Sequence, residues 1–177
     1  MRPAPSSSGL LAPAVIAALV AATVSFATTW IVAWREERSR RRKMFADAFE
    51  AYVSYKEFPY AIRRRRGDQL SEERQRISGE LRHLQERLSF FMAWTQVESP
   101  KVGAAYTALV EGLRRIAGAE IAKAWTLEPI SRDEEMNIGD VNLSSLKPLE
   151  DAYFAVLKRR VGPLRTRLRW RKNETTA

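Results

Sequence analysis

The sequence predicts an all-α protein: one N-terminal transmembrane helix followed by a small cytoplasmic bundle of three to four helices. Three observations carry this expectation. Residues 10–34 hold no charged residue, apolar residues downstream recur at helical spacing, and no segment alternates in the manner of a strand.

The uncharged run reads LLAPAVIAALVAATVSFATTWIVAW, from Leu10 to Trp34. A helix rises ~1.5 Å per residue and a bilayer core is ~30 Å thick, so about 20 apolar residues cross it. The run is long enough to cross with room for tilt. In lipid its backbone groups must bond to one another, which leaves helix for a single segment. Trp30 and Trp34 stand at its C-terminal end, where the amphipathic indole favours the headgroup level. Pro13 falls in the first turn, where a missing N–H costs least. Ala14, Ala18 and Ala22 recur every four residues, and so do Ala17, Ala21, Ser25 and Thr29. Small residues at that spacing let two membrane helices approach closely, so the second set is the expected helix–helix surface.

The charge is patterned rather than spread. The chain of 177 residues carries a formal net charge of +9. Arg35–Lys43 holds six basic and two acidic residues, Arg63–Arg66 four arginines, and Lys158–Lys172 eight basic residues without an acid. With Arg2 these come to +17, so the remainder nets −8. A mildly acidic domain with three basic patches implies located partners. There is no cysteine, which excludes a disulfide framework and thiolate chemistry and fits a reducing compartment.

Basic residues flanking a span stay on the cytoplasmic side. The N-terminal flank offers Arg2 and the amine, whereas the other flank offers Arg35, Arg38, Arg40, Arg41, Arg42 and Lys43. The expected topology is a single pass through the cell membrane, with the N-terminus outside and the larger part in the cytoplasm. A cleaved secretory signal is the competing reading. It fits poorly, because the n-region is weak, the apolar run exceeds the usual 7–15 residues and a dense basic block follows.

The elements follow in order. Residues 1–9 lack apolar mass and are expected as a short disordered tail. Residues 35–58 continue the helix into the cytoplasm, with Phe45, Ala48, Phe49, Tyr52 and Val53 on one stripe. Pro59 ends or kinks it, and 59–70 is expected as a basic turn. The bundle is assigned to 71–162. Its first helix, 71–97, carries a heptad-like seam of Ile77, Leu81, Leu84, Leu88, Phe91 and Thr95. Ser99-Pro100 reads as an N-cap followed by proline, starting a helix to about Gly118 or on to Trp125. The short connection makes 71–97 and 99–118 an antiparallel hairpin. Gly103, Ala104, Ala105, Ala108 and Gly112 keep part of the second helix small for close packing. A loop from Pro129 follows, then a last helix with Ser144 or Ser145 near its cap and Leu149, Tyr153, Phe154 and Leu157 on its core face. Gly162-Pro163 breaks it, and 163–177 is a basic tail.

No catalytic signature appears: no nucleophile elbow, Walker loop, dinucleotide turn or zinc-protease helix. The single histidine, His83, has no cysteine or second histidine as co-ligand and reads as a surface residue. Asp133, Glu134, Glu135, Asn137 and Asp140 form an acidic loop whose spacing does not match a calcium hand and reads as solvated. Trp94, Trp125, Tyr106 and Tyr153 read mostly as core. No cofactor, metal or small-molecule substrate is expected.

The basic patches carry the functional expectation. Arg35–Lys43 suffices as the orientation signal and also attracts anionic lipid. In the tail, Arg165, Arg167, Arg169, Trp170, Arg171 and Lys172 suit a segment lying on the membrane. The expected partners are therefore membrane lipid and another protein or a second copy, without catalysis. The alternative is a membrane-tethered nucleic-acid binder, with Arg63–Arg66 and the tail on phosphates and Trp170 on a base. An enzyme with the acidic loop as its metal site ranks last.

Overall fold

The computed structural model describes residues 8–162, with side chains from Val15 onward. All described regular structure is helical: α1 (Ser8–Lys56), α2 (Phe58–Arg63), α3 (Leu70–Glu98), α4 (Pro100–Thr126) and α5 (Lys147–Val161), with short 3-10 turns at Asp133–Met136 and Ser144–Leu146. The chain forms two compact units, Met1–Arg41 and Arg42–Ala177. The first unit's described part is the N-terminal portion of α1. The second is a helical bundle to which α1 contributes residues from Arg42 onward.

The bundle is built around α4. That helix packs against α2, α3, α5 and the second 3-10 turn. Its stripe of Val102, Tyr106, Leu109, Val110 and Leu113 is fully buried, and Ile116 is half-buried. Gly118 does not stop the helix. Ala117, Ile121 and Ala124 continue the buried face beyond it, and burial outweighs the weak helix propensity of one glycine.

Ser99 alone joins α3 to α4, with an extended backbone and Pro100 starting the new helix. Its hydroxyl makes no capping bond; the turn is held by backbone bonds from Ser99 N–H to Thr95 O and from Gly103 N–H to Ser99 O. The two helices run antiparallel, as the bond from Arg114 to Ser89 requires. Ile77, Leu84, Leu88 and Thr95 of the α3 seam are buried, while Leu81 and Phe91 are half-buried.

The bundle portion of α1 is rotated from the expected stripe. Phe45, Ala48, Ala51, Tyr52 and Tyr55 face inward, whereas Val53 is exposed. Two small alanines on the inner face allow close approach, and the Tyr106 hydroxyl donates to Ala48 O at 2.7 Å. Phe49 meets Tyr153 and Phe154 of α5, with ring centroids 6.1 and 4.8 Å apart.

Pro59 does not begin a turn. After Glu57 it sits in the first turn of α2, where its fixed φ suits a helix start. Residues 58–63 of the expected extension and turn are thus helical, and Phe58 and Ile62 enter the core.

One polar cluster lies at the α1–α5 contact. Glu150 accepts bonds from Tyr52 Oη and Lys56 Nζ, each at 2.8 Å. Burial raises the Glu150 carboxyl, but the bonds from Lys56 and Tyr52 and the nearby positive charges outweigh it, so its pKa is lowered. Burial, then the bond to Glu150, pushes the Tyr52 phenol up.

Two predictions follow from this packing. A Cβ on Gly103 would meet the Gln96 backbone, which cannot yield, so Gly103→Ala should destabilise by about 1–3 kcal/mol in denaturant titration. Gly118 faces open space, so Gly118→Ala should stabilise by about 0.5–1 kcal/mol. For pH, the depressed Glu150 pKa contributes stability that is present above the unfolded value of about 4.3 and lost as pH falls through the folded pKa. Glu150→Gln should flatten stability across that acid window, as followed by denaturant titration at each pH.

Candidate membrane anchor and basic clusters

From Val15 to Trp34 every side chain of α1 is exposed, among them Val20, Val24, Phe26, Trp30 and Ile31. This stretch is long and apolar enough to cross a membrane, and none of it is buried by the rest of the chain. Its threonine side chains satisfy themselves. The hydroxyls of Thr23, Thr28 and Thr29 donate to the carbonyls of Leu19, Val24 and Ser25 at 2.7–2.9 Å. A hydroxyl bonded within its own helix loses little on leaving water.

Ala17, Ala21 and Ser25 lie in a shallow apolar groove edged by Ile16, Val20 and Val24. Thr29, of the same expected set, is outside the groove, and its hydroxyl is turned onto Ser25 O.

The basic flank is partly neutralised along its own helix. Arg40 and Arg41 pair with Glu37 at 3.8 and 3.0 Å, and Lys43 pairs with Asp47 at 2.9 Å. The Arg38 guanidinium lies over the Trp34 ring at 5.5 Å. Arg42 donates to Val161 O at 3.3 Å. Such exposed pairs are worth little in water and exchange readily for other anions.

The second cluster, Arg63–Arg66, is largely committed to the protein's own backbone. Arg65 is 7 % exposed; it donates to Ile62 O, Ala124 O and Leu127 O and lies 5.3 Å over the Trp125 ring. Burial, with Arg63 adding to it, lowers its pKa, yet a guanidinium stays charged at any physiological pH. Arg63 donates to Glu128 O at 2.6 Å and approaches Asp140 at 4.0 Å, while Ile130 N–H returns a bond to Arg63 O. Arg64 reaches Met136 O at 3.3 Å, and Arg66 pairs with Asp68 at 2.9 Å. The first three arginines clasp the segment 127–136 onto the end of α2. The third cluster is split: Arg165, Arg167, Arg169, Trp170, Arg171 and Lys172 lie outside the described residues.

The acidic loop does not gather its carboxylates. Glu135 pairs with Arg132 and Asp140 with Arg63, and no group of three potential metal ligands converges among the described residues. His83 is exposed, 4.0 Å from Glu86. Tyr106 and Tyr153 are fully buried and Trp125 is half-buried under Arg65, but Trp94 is a correction: it is 51 % exposed.

Trp94 belongs to a patch that sequence reasoning missed. Phe90 and Val97 beside it are 59 % and 79 % exposed, and the Phe90 and Trp94 rings stack at 6.1 Å. The available signal was a second apolar stripe at i, i+4 and i+7 on a helix whose first stripe already fills the core. No family model, curated protein or solved structure matches the chain.

The clasp yields a prediction. Arg65→Met should leave Ala124 O and Leu127 O without this donor, while Ile62 O keeps the Arg65 backbone N–H, and should cost about 2 kcal/mol or more. It should also speed proteolytic cleavage between residues 127 and 143. Arg66→Ala, whose side chain pairs with Asp68 rather than with the clasped segment, should leave the cleavage rate unchanged.

Proposed function

We propose that the chain is a single-pass membrane protein whose helical domain works by binding at the cytoplasmic face of the cell membrane, without catalysis. The observation that carries the reading is the uncharged stretch of α1 up to Trp34, exposed on all sides and followed at once by six basic residues. A helix of this kind is unstable in water and stable in lipid, and its basic collar sets the N-terminus outside. Arg35, Arg38, Arg40, Arg41, Arg42 and Lys43 are the groups offered to anionic headgroups at the inner leaflet.

The partners in this reading are lipid and protein. Ala17, Ala21 and Ser25 floor a groove that suits a second copy of the same helix. The basic tail is assigned to the same lipid surface, since a tether keeps that anion at high effective concentration. Nucleic acid is the weaker alternative. Its best-placed arginines, Arg63 and Arg65, already hold backbone carbonyls and offer little to phosphate.

Topology is the deciding experiment. The full chain should resist alkaline extraction from membranes, and a reporter fused after Ala177 should be active only in the cytoplasm. Release into the supernatant, or a reporter active only outside, would overturn the reading. Crosslinking in membranes should trap a dimer that Ala21→Leu weakens; a monomer at every crosslinker dose would remove the second-copy partner and leave the anchor standing.

A further inference from the structure

We propose that the exposed apolar face at the C-terminal end of α3, formed by Phe90, Ala93, Trp94 and Val97, docks the bundle onto an anionic lipid surface. The inference rests on the membrane anchoring proposed above and adds a second, separate contact to it.

The outward face of α3 changes character along its length. Gln75, Arg82 and Glu86 keep it polar, and one turn later Phe90 begins a strip that runs to Val97. This strip is not the core seam, which buries Leu84, Leu88 and Thr95 on another side of the helix. Two stacked aromatics, one an indole with a polar N–H, are the side chains that favour the boundary between headgroup and acyl chain.

The strip lies at a particular end of the bundle. Arg87 of α3 pairs with Glu50 of α1 at 2.7 Å. The helices are antiparallel there, so two turns further on α3 is Trp94 and two turns back on α1 is Lys43. Glu98 pairs with Arg160 at 3.6 Å, and Arg42 bonds Val161 O, at this same end. It is therefore the end of the bundle that holds Arg42, the residue at which this unit begins. Lys43 comes nine positions after Trp34 in the sequence, and even a fully extended chain of that length reaches roughly 30 Å.

Charge favours lipid as the occupant. Lys43 is 76 % exposed and holds only a surface pair with Asp47, and Lys101, at the start of α4 just after the Ser99 junction, is exposed as well. Cations flanking an aromatic strip suit a surface with phosphates around an apolar interior. Area argues the same way. Three large side chains expose at most a few hundred Å², below the roughly 500 Å² per partner that a stable protein interface needs. Shallow insertion of one helix face needs no more than this strip.

The chain has no cysteine, which permits clean single-site labelling of the full-length protein. Nitroxides are placed at Phe90→Cys, Val97→Cys, Gln75→Cys, Arg82→Cys and Val20→Cys. The protein is reconstituted into vesicles of phosphatidylcholine with and without phosphatidylglycerol, and collision with oxygen is compared with collision with a water-soluble nickel chelate. The expected result is a rise in the oxygen-to-nickel ratio at 90 and 97 in phosphatidylglycerol vesicles. It should fall back when Trp94→Ser is added, with 75 and 82 remaining water-like. Water-like values at 90 and 97, while 20 reports lipid, would overturn the docking and leave the anchor intact. Dipolar broadening between labels at 97 that persists with Ala21→Leu and is lost with Trp94→Ser would overturn it in favour of a second copy. A water-like label at 20 would remove the anchor and the docking together.

Discussion

An apolar helix surface with nothing to cover it is the constraint on which this protein turns. The backbone of α1 bonds to itself, and so do Thr23, Thr28 and Thr29. What is left facing outward between Val15 and Trp34 is aliphatic and aromatic side chain. Each such side chain costs about 1.5–3 kcal/mol to hold in water rather than in an apolar phase. Among the described residues none of this surface is buried, so the cost stands until something outside the chain relieves it. The anchoring proposed above answers that cost, and in that proposal the six basic residues after Trp34 set its direction.

The bundle solves a different problem. Its core is modest, and it economises by threading one helix through the middle. With α4 packed against three other helices, large residues from each direction meet on one helix. Close contacts at Gly103 and Gly112 bring α3 and α5 near that axis. Several polar groups that enter the core tie elements together, while the buried Tyr153 hydroxyl has no hydrogen-bond partner. Tyr106 ties α4 to α1 through Ala48 O, Glu150 joins Tyr52 and Lys56, and Arg65 holds the chain after α4. A charged side chain bonded to several carbonyls is a strong local fastener, because each bond is charge-assisted.

Much of the helical layout was legible because it depends on local rules. Ser99-Pro100 marks a helix start whatever the surroundings, and seven-residue spacing on α3 marks its inner face. The α1 stripe was read less well. Val53 fits the periodicity as well as Ala51 does, and only the neighbours choose between them. Gly118 carries a real propensity cost, yet the buried residues after it override that cost. The candidate sites were harder still. Four consecutive arginines look alike in a sequence, and their fates differ entirely: Arg65 is enclosed, Arg63 and Arg64 reach across to another segment, and Arg66 turns to a near neighbour.

The sequence by itself determined the uncharged run, the basic collar behind it, the helical class and the hairpin about Ser99. These are properties of composition, spacing and single residues, and they hold without reference to distant contacts. Only the tertiary structure decided that Arg63–Arg65 clasp the segment after α4 and that Phe90, Trp94 and Val97 stay outside while Thr95 goes in. A side chain's exposure depends on which helices stand beside it, and that depends on residues dozens of positions away.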